Sequence, residues 1–343
     1  MGLLQAARRK AASDGTIARL EKRGVYELVP ITAVTAGQRL IRTQWVKNTW
    51  AYGTYISRLD VQGWSQAPGI DCGGIFASVY RLQSICMMLV IAAELDYEVF
   101  VLDIQTAFLN ADVEQDVFVK MAPGYEIADK SGVPLIMKLK KSLYVLRQNP
   151  KNWVGAMEHH LAQIEFRPLK SDACIYELED DTGFVMLTLH VDDVLLLGAN
   201  KPLLNKPKKQ LMDRFEMTDM GKLSRVLVTN VSREREKGTI TIDQKDYTED
   251  IVEGFGMKDC NPAFTPGAGP ELSLNQPETN LLDEKRKGRY QSIVGGTMYL
   301  AQVSRYDILY AVIQLARGMS KPSKAHVGAV SYTHLTLPTI YSV

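Results

Sequence analysis

The chain is poor in the residues that would make its class obvious. Its four cysteines, Cys72, Cys86, Cys174 and Cys260, show neither CxxC spacing nor histidines at zinc-site intervals. That excludes a metal knuckle and a disulfide framework and makes reduced, intracellular thiols the default. No run reaches the roughly 18 apolar residues needed to cross a bilayer, and the opening MGLLQAARRKAASDG lacks the apolar core of a secretory signal, so neither membrane insertion nor secretion is expected. An excess of one charge is missing too: 40 Lys and Arg against 39 Asp and Glu leave a formal net charge of +1. The balance conceals basic clusters at Lys138, Lys140, Lys141, Arg147 and Lys151, and at Lys201, Lys206, Lys208 and Lys209. Such runs are either solvated surface or a footprint for an anionic partner.

What is present is an ordinary globular composition, 46% hydrophobic and 23% charged over 343 residues, enough for two or three subdomains around more than one core. Helical periodicity predicts a helix over 5–23 ending at Gly24, a core helix over 81–96, an amphipathic helix over 151–166 with Trp153, Met157 and Leu161 on one face, and a helix over 203–217 that runs through Pro207. Strands are expected at VYELVP, LIRTQWV, TYISRLDV, EVFVLDI, DVFVKM, ACIYELED and GFVMLTLH, and two more on either side of Gly238. TAFLN reads as a loop. A helix closed by glycines follows at QKDYTEDIVEGFGM, residues 261–287 with Pro262, Pro266, Pro270 and Pro277 read as a linker, and two further helices come after it. Strands and helices interleave without a regular βαβ beat, so the fold class is α+β.

The stretch LTLHVDDVLLLG places two adjacent carboxylates, Asp192 and Asp193, inside an apolar run. Burying even one unpaired carboxylate costs several kcal/mol, so the pair must reach water, cations or metal. A hairpin that turns at or just after them fits best, either as a solvated turn or as a platform of hard oxygen ligands for divalent cations. Asp103 ends a second apolar strand, EVFVLDI. It caps the element that follows, or it supplies a third carboxylate to a two-metal site of the kind used in phosphoryl and nucleotidyl transfer.

Six blocks in order make the pattern specific: SRLDVQGWSQAPGID, VLDIQTAFLNADVEQDVFVKMAPGYE, LKKSLYVLRQNPKNW, LHVDDVLLLGA, FEMTDMGKLSRVLVTNVSRE and YQSIVGGTMYLAQVSRYDILYAV. In order and spacing they resemble the reverse transcriptase of copia-type LTR retrotransposons, from about residue 12 to residue 330. The resemblance implies a right-hand polymerase fold: an N-terminal helix (1–24), fingers (25–92 and 113–152), a palm with an antiparallel sheet (93–112 and 153–240), helical thumb and connection (241–330), and an unrelated tail (331–343). It implies that Asp103, Asp192 and Asp193 are catalytic and bind two Mg²⁺ ions, with Mn²⁺ as a substitute. It places Phe108 against the sugar of the incoming dNTP, Gln148 at the nucleotide and Arg58 at the triphosphate. The implied partners are an RNA or DNA template with its primer, and dNTPs; the basic clusters become contacts to template and primer phosphates. The implied setting is intracellular, in a cytoplasmic particle or the nucleus. Trp153 and Tyr144 are expected in the core rather than against bases.

The pattern breaks at several places. His190 stands where the family's YVDD motif has tyrosine, Val145 where LYGLKQ has glycine, and Asn149 where alanine is usual. VLVTNV replaces FLGIEV, and SYTHLTLPTIYSV leaves the pattern altogether. A valine at 145 is costly if the turn there needs positive φ. These departures keep a second reading alive, a folded but inactive remnant that at most binds nucleic acid. A two-metal nuclease or phosphatase is a third reading.

Overall fold

The computed structural model describes residues 2–49, 53–67, 69–78, 80–181, 183–257 and 277–334, together with Thr265, Pro266 and Ser273. It separates into two compact units, Met1–Lys222 and Leu223–Val343. Among the described residues no helix is long and apolar enough to cross a membrane. Cys72, Cys86 and Cys174 are free thiols, and Cys260 lies outside the described residues.

The first unit opens with α1 (Gly2–Lys22), β1 (Tyr26–Pro30), β2 (Leu40–Ile41), β3 (Thr43–Thr49), β4 (Tyr55–Val61) and α2 (Leu82–Glu94). It continues with β5 (Glu98–Ile104), β6 (Asp112–Val119), β7 (Leu135–Lys141) and α3 (Asn149–Gln163). The last elements are β8 (Arg167–Pro168), β9 (Ile175–Asp180), β10 (Gly183–His190), β11 (Asp193–Gly198), α4 (Lys201–Arg214) and β12 (Met217–Lys222). Gly24, at φ +61°, stops α1 where expected, because a residue without Cβ adopts the left-handed cap freely. LIRTQWV divides at Arg42 into β2 and β3, TAFLN forms a 3-10 turn rather than an open loop, and the lysine-rich run LIMKLKK, which lacks a strand signal in its charges, is β7.

Six strands in the order β12-β5-β11-β10-β9-β8 form an antiparallel sheet. Strand alternation sends Leu102 and Ile104 of β5, Leu196 of β11 and Leu187 of β10 to one face, where Trp153 and Met157 of α3 close the core. Each such side chain, fully buried, is worth about 1.5–3 kcal/mol. The same alternation sends Asp103 and Asp193 to the opposite face. A second core joins α1 to β1, β2, β4, β6 and β7 through Leu20, Ile41, Leu59, Val119, Met137 and Leu139. α1 is also stitched to β4 by Ser13 Oγ to Ser57 Oγ at 2.8 Å and by Thr16 Oγ1 donating to the Ser57 carbonyl at 2.6 Å.

The second unit holds a three-stranded sheet, β13 (Arg225–Val226), β14 (Thr229–Glu234) and β15 (Thr239–Asp243), and four helices among the described residues: α5 (Lys245–Gly254), α6 (Glu284–Val303), α7 (Leu309–Arg317) and α8 (Lys324–His334). Its core forms around Ile251, Tyr290, Val294, Leu300, Ile308 and Val312. Asp283 caps α6 by accepting from the Arg286 N–H at 2.8 Å. Of the expected linker, 261–264, 267–272 and 274–276 lie outside the described residues. So do 335–343 of the expected tail, whose first residues extend α8.

Candidate functional site

The register of the six-stranded sheet builds the site. Asp103 of β5 lies directly opposite Asp193 of β11, and Asp193 directly opposite His190 of β10. Directly opposed residues share a face of the sheet with Cα atoms about 4.5–5.5 Å apart. The three therefore form one row across three strands. Val191 and Asp192 make the two-residue connection of the β10–β11 hairpin. Asp193 is thus a strand residue and Asp192 a turn residue.

This turn is held from two directions. Val191 is in the left-handed region at φ +55°, a conformation that a β-branched residue adopts only under compulsion. The Trp153 indole N–H donates to the Val191 carbonyl, and the Ile104 N–H donates to the Asp192 carbonyl at 2.7 Å. Trp153 is fully buried, as expected, but it also supplies this hydrogen bond, which apolar periodicity does not reveal.

The electrostatics follow from crowding. Burial first, then Asp192, pushes the Asp103 carboxyl above the ordinary aspartate range. Asp193 is pushed up by burial, then by Asp192 and Asp103, with His190 opposing. Like charges on adjacent strands, with no lysine or arginine among the described residues acting on either, are relieved by a hard cation, and the oxygen donors suit Mg²⁺ or Mn²⁺. Among the described residues no three Asp, Glu, His or Cys side chains already converge as a ready-made metal cage. The sheet therefore brings the donors into one neighbourhood without closing them around an ion.

The three expected nucleotide contacts are placed differently. Phe108, in the 3-10 turn after β5, meets Tyr144 edge-on with centroids 6.5 Å apart. Arg58 lies 5.1 Å from the Tyr144 ring centroid, so the half-buried Tyr144 links the two. Arg58 already holds Asp60 in a fork, Nε to Oδ1 at 2.7 Å and Nη2 to Oδ2 at 2.9 Å. Gln148 is buried, and its side-chain carbonyl accepts from Gln66 Nε2 at 3.0 Å. It is not part of the Phe108–Tyr144–Arg58 group. A small apolar pocket of about 50 Å³ lies beside the turn, lined by Phe108, Pro150, Trp153, Tyr176, His190 and Val191. His190 packs against Tyr80 with tilted rings and centroids 4.7 Å apart, and its buried Nδ1 has no hydrogen-bond partner among the described residues.

Part of each basic cluster is paired with acids. Lys138 pairs with Asp116 at 2.8 Å, Lys140 with Glu27 at 2.8 Å, Lys206 with Asp180 at 3.7 Å and Lys208 with Asp219 at 2.8 Å. Arg147 donates to the carbonyls of Gly63 and Trp64.

Comparison with known proteins gives a consistent result. A family model described as reverse transcriptase (RNA-dependent DNA polymerase) matches residues 24–268. The chain is 34% identical over 322 residues to the retrovirus-related Pol polyprotein from transposon TNT 1-94 of Nicotiana tabacum, covering 91% of this chain and 24% of that one. It is 31% identical over 311 residues to the corresponding polyprotein from transposon RE1 of Arabidopsis thaliana, covering 89% and 20%. It is 24% identical over 301 residues to the transposon Ty1-NL2 Gag-Pol polyprotein of Saccharomyces cerevisiae, covering 84% and 17%. The chain thus spans a quarter or less of the length of these relatives.

Proposed function

The chain belongs to the reverse transcriptase (RNA-dependent DNA polymerase) family, and from that premise we propose that it is an RNA-directed DNA polymerase that adds dNTPs to a primer 3′-hydroxyl. The observation behind this reading is the register that sets Asp103 opposite Asp193, with Asp192 in the adjoining turn. The six-stranded sheet is read as the palm of a right hand, with fingers at 25–92 and 113–152, palm at 93–112 and 153–240, and thumb and connection at 241–330. Asp103 and Asp192 would hold two Mg²⁺ ions, with Asp193 supporting them. The chemistry such ions supply when bound is activation of the primer hydroxyl and neutralisation of the departing pyrophosphate.

The chain's own groups do the positioning. Trp153 and Ile104 fix the turn from which Asp192 projects. Phe108 crowds the sugar 2′ position and so favours dNTPs over rNTPs. Arg58 exchanges Asp60 for triphosphate oxygens, which its planar fork also fits. Gln148 acts at the nucleotide through the hydrogen bond that orders it against Gln66. The working setting is a cytoplasmic particle or the nucleus.

Primer extension on an RNA template with Mg²⁺ tests the reading. Synthesis by the wild-type chain that disappears in Asp192→Asn supports it, and equal synthesis by both ends it. One observation favours a second reading, an inactive remnant: Val145, standing where the family has glycine, sits at φ +72°. An inactive wild type that gains synthesis on Val145→Gly and His190→Tyr was damaged at those positions.

A further inference from the structure

We infer that Arg23, at the end of α1, is a positioning residue for Phe108: it fixes the turn at Thr106 from which that ring projects, and so sets how strictly the site tells dNTPs from rNTPs. The inference deepens the polymerase reading and rests on it, because Phe108 is read there as the side chain against the sugar.

The backbone shows why the turn needs a clasp. Asp103 is held on both sides by strand pairing, opposite Asp193 of β11 and Thr218 of β12, and the sheet ladder ends where the Gln105 N–H donates to the Glu216 carbonyl at 2.9 Å. Thr106 is the first residue beyond it. Its φ of +55° is left-handed, a region that a β-branched residue keeps only where its surroundings impose it. The 3-10 turn Ala107–Asn110 hangs on this residue, for the Thr106 carbonyl accepts from the Leu109 N–H at 2.9 Å and from Asn110 Nδ2 at 3.4 Å.

The group that imposes the conformation reaches in from α1. Arg23 Nη1 donates to Thr106 Oγ1 at 2.7 Å, and that hydroxyl donates in turn to the Gln105 carbonyl at 2.6 Å. Arg23 Nη2 pairs with Glu216, the residue before β12. One planar guanidinium thus spans the exit of β5 and the entrance of β12, which the single charged point of a lysine does not do. The turn also straddles two cores, with Ala107 in that of the six-stranded sheet and Leu109 in that of α1 and its strands. Phe108 stands half-buried between them, edge-on to Tyr144. Burial raises the Tyr144 hydroxyl above the ordinary tyrosine range while Arg58, Arg19 and Arg23 oppose it, so the Arg23 charge reaches the same group. Because the sheet fixes Asp103 and the turn fixes Phe108, loosening the clasp moves the ring and leaves the carboxylate in place.

The test is steady-state primer extension by the full chain with dATP and with ATP, joined to fluorine NMR of protein carrying para-fluorophenylalanine at its nine phenylalanines, the Phe108 signal being assigned with Phe108→Leu. Arg23→Gln, checked for folding by circular dichroism, is expected to move that signal and to lower the ratio of kcat/KM for dATP over ATP by about tenfold, since a displacement of about 1 Å in a positioned group costs up to about 100-fold. The change should lie in KM for ATP, with kcat for dATP close to wild type. Thr106→Val, which keeps the size and loses the hydroxyl, should act in the same way, and the double variant should go no further than either single one. Thr106→Ser, which keeps the hydroxyl, should hold most of the ratio, and Lys22→Gln, an exposed neighbour, should leave signal and ratio unchanged. An unmoved Phe108 signal in folded Arg23→Gln and Thr106→Val overturns the inference. So does a loss of extension that is proportional for dATP and ATP, which marks a structural clasp only. Failure of either kind in a chain that extends primers leaves the polymerase reading standing. A Phe108 signal that responds to both variants in a chain that extends nothing supports the positioning and removes the polymerase reading alone.

Discussion

Two turns of the first unit each place a valine at positive φ, Val145 at +72° and Val191 at +55°, and they differ in what holds them there. Val191 is gripped by donors: Trp153 on its own carbonyl and Ile104 on that of Asp192. The contacts that impose the conformation also aim a carboxylate. Val145 is 43% exposed, its turn accepts from the Val61 N–H at the neighbouring Tyr144 carbonyl at 2.9 Å, and Gly63 lies close against it. A Cβ built on Gly63 would lie 1.9 Å from the Val145 carbonyl oxygen. There a glycine stands on the facing segment, and a valine occupies a position where glycine would carry no left-handed penalty. Backbone strain of about 1–3 kcal/mol persists where surroundings over-determine it, but only the Val191 turn carries a carboxylate of the candidate site.

Removing the charge without the turn gives the largest expected effect. Asp192→Asn should lower primer extension by on the order of 10³-fold, since electrostatic stabilisation by bound cations is worth several kcal/mol. Circular dichroism and urea unfolding should stay close to wild type, and a lost fold would instead make the residue structural. Loosening the turn while keeping the charge comes next. Trp153→Phe preserves most of the packing but leaves the Val191 carbonyl without its donor, which should cost about 1–3 kcal/mol in urea unfolding and lower extension together with apparent Mg²⁺ affinity. Unchanged Mg²⁺ dependence would break the link between strain and carboxylate.

The other turn should respond in the opposite direction. Val145→Gly removes the left-handed penalty of about 1–2 kcal/mol and gives back part of it through the freer unfolded chain, for a net stabilisation of about 1 kcal/mol. The urea midpoint should rise with an unchanged slope. The smallest effect concerns pH. Because burial and then Asp192 and Asp103 raise the Asp193 carboxyl, the folded state keeps that proton longer than the unfolded chain does. Stability from this source falls as pH rises from the ordinary aspartate range through the raised one, and the loss is complete above it. Without metal, Asp193→Asn should therefore stabilise at neutral pH by under about 1 kcal/mol, a gain that vanishes below the ordinary carboxylate range. Comparing unfolding at the two pH values checks the sign.

Much of the sheet was legible because its signal is local. Short apolar runs in EVFVLDI, GFVMLTLH and VLLLG mark β5, β10 and β11, and the spacing of Trp153, Met157 and Leu161 marks the buried face of α3. β7 was hidden because Lys138, Lys140 and Lys141 suggest solvated surface, whereas Leu139 and Met137 face a core and the lysine ends find acids on neighbouring strands. The split at Arg42 is equally a pairing decision, with β2 running beside β6 and β3 beside β4. The strain at Val145 was legible as a missing glycine. That at Val191 had no such marker.

By itself the sequence determined which segments become strands and helices, and which carboxylates are set into apolar strands, because periodicity and the cost of burying charge act over neighbouring residues. Only the tertiary structure decided that Asp103 pairs in register with Asp193 from ninety residues away, and that Trp153 donates to the turn that joins β10 to β11. Long-range strand pairing fixes those proximities, and no local pattern of residues encodes which distant group will stand opposite.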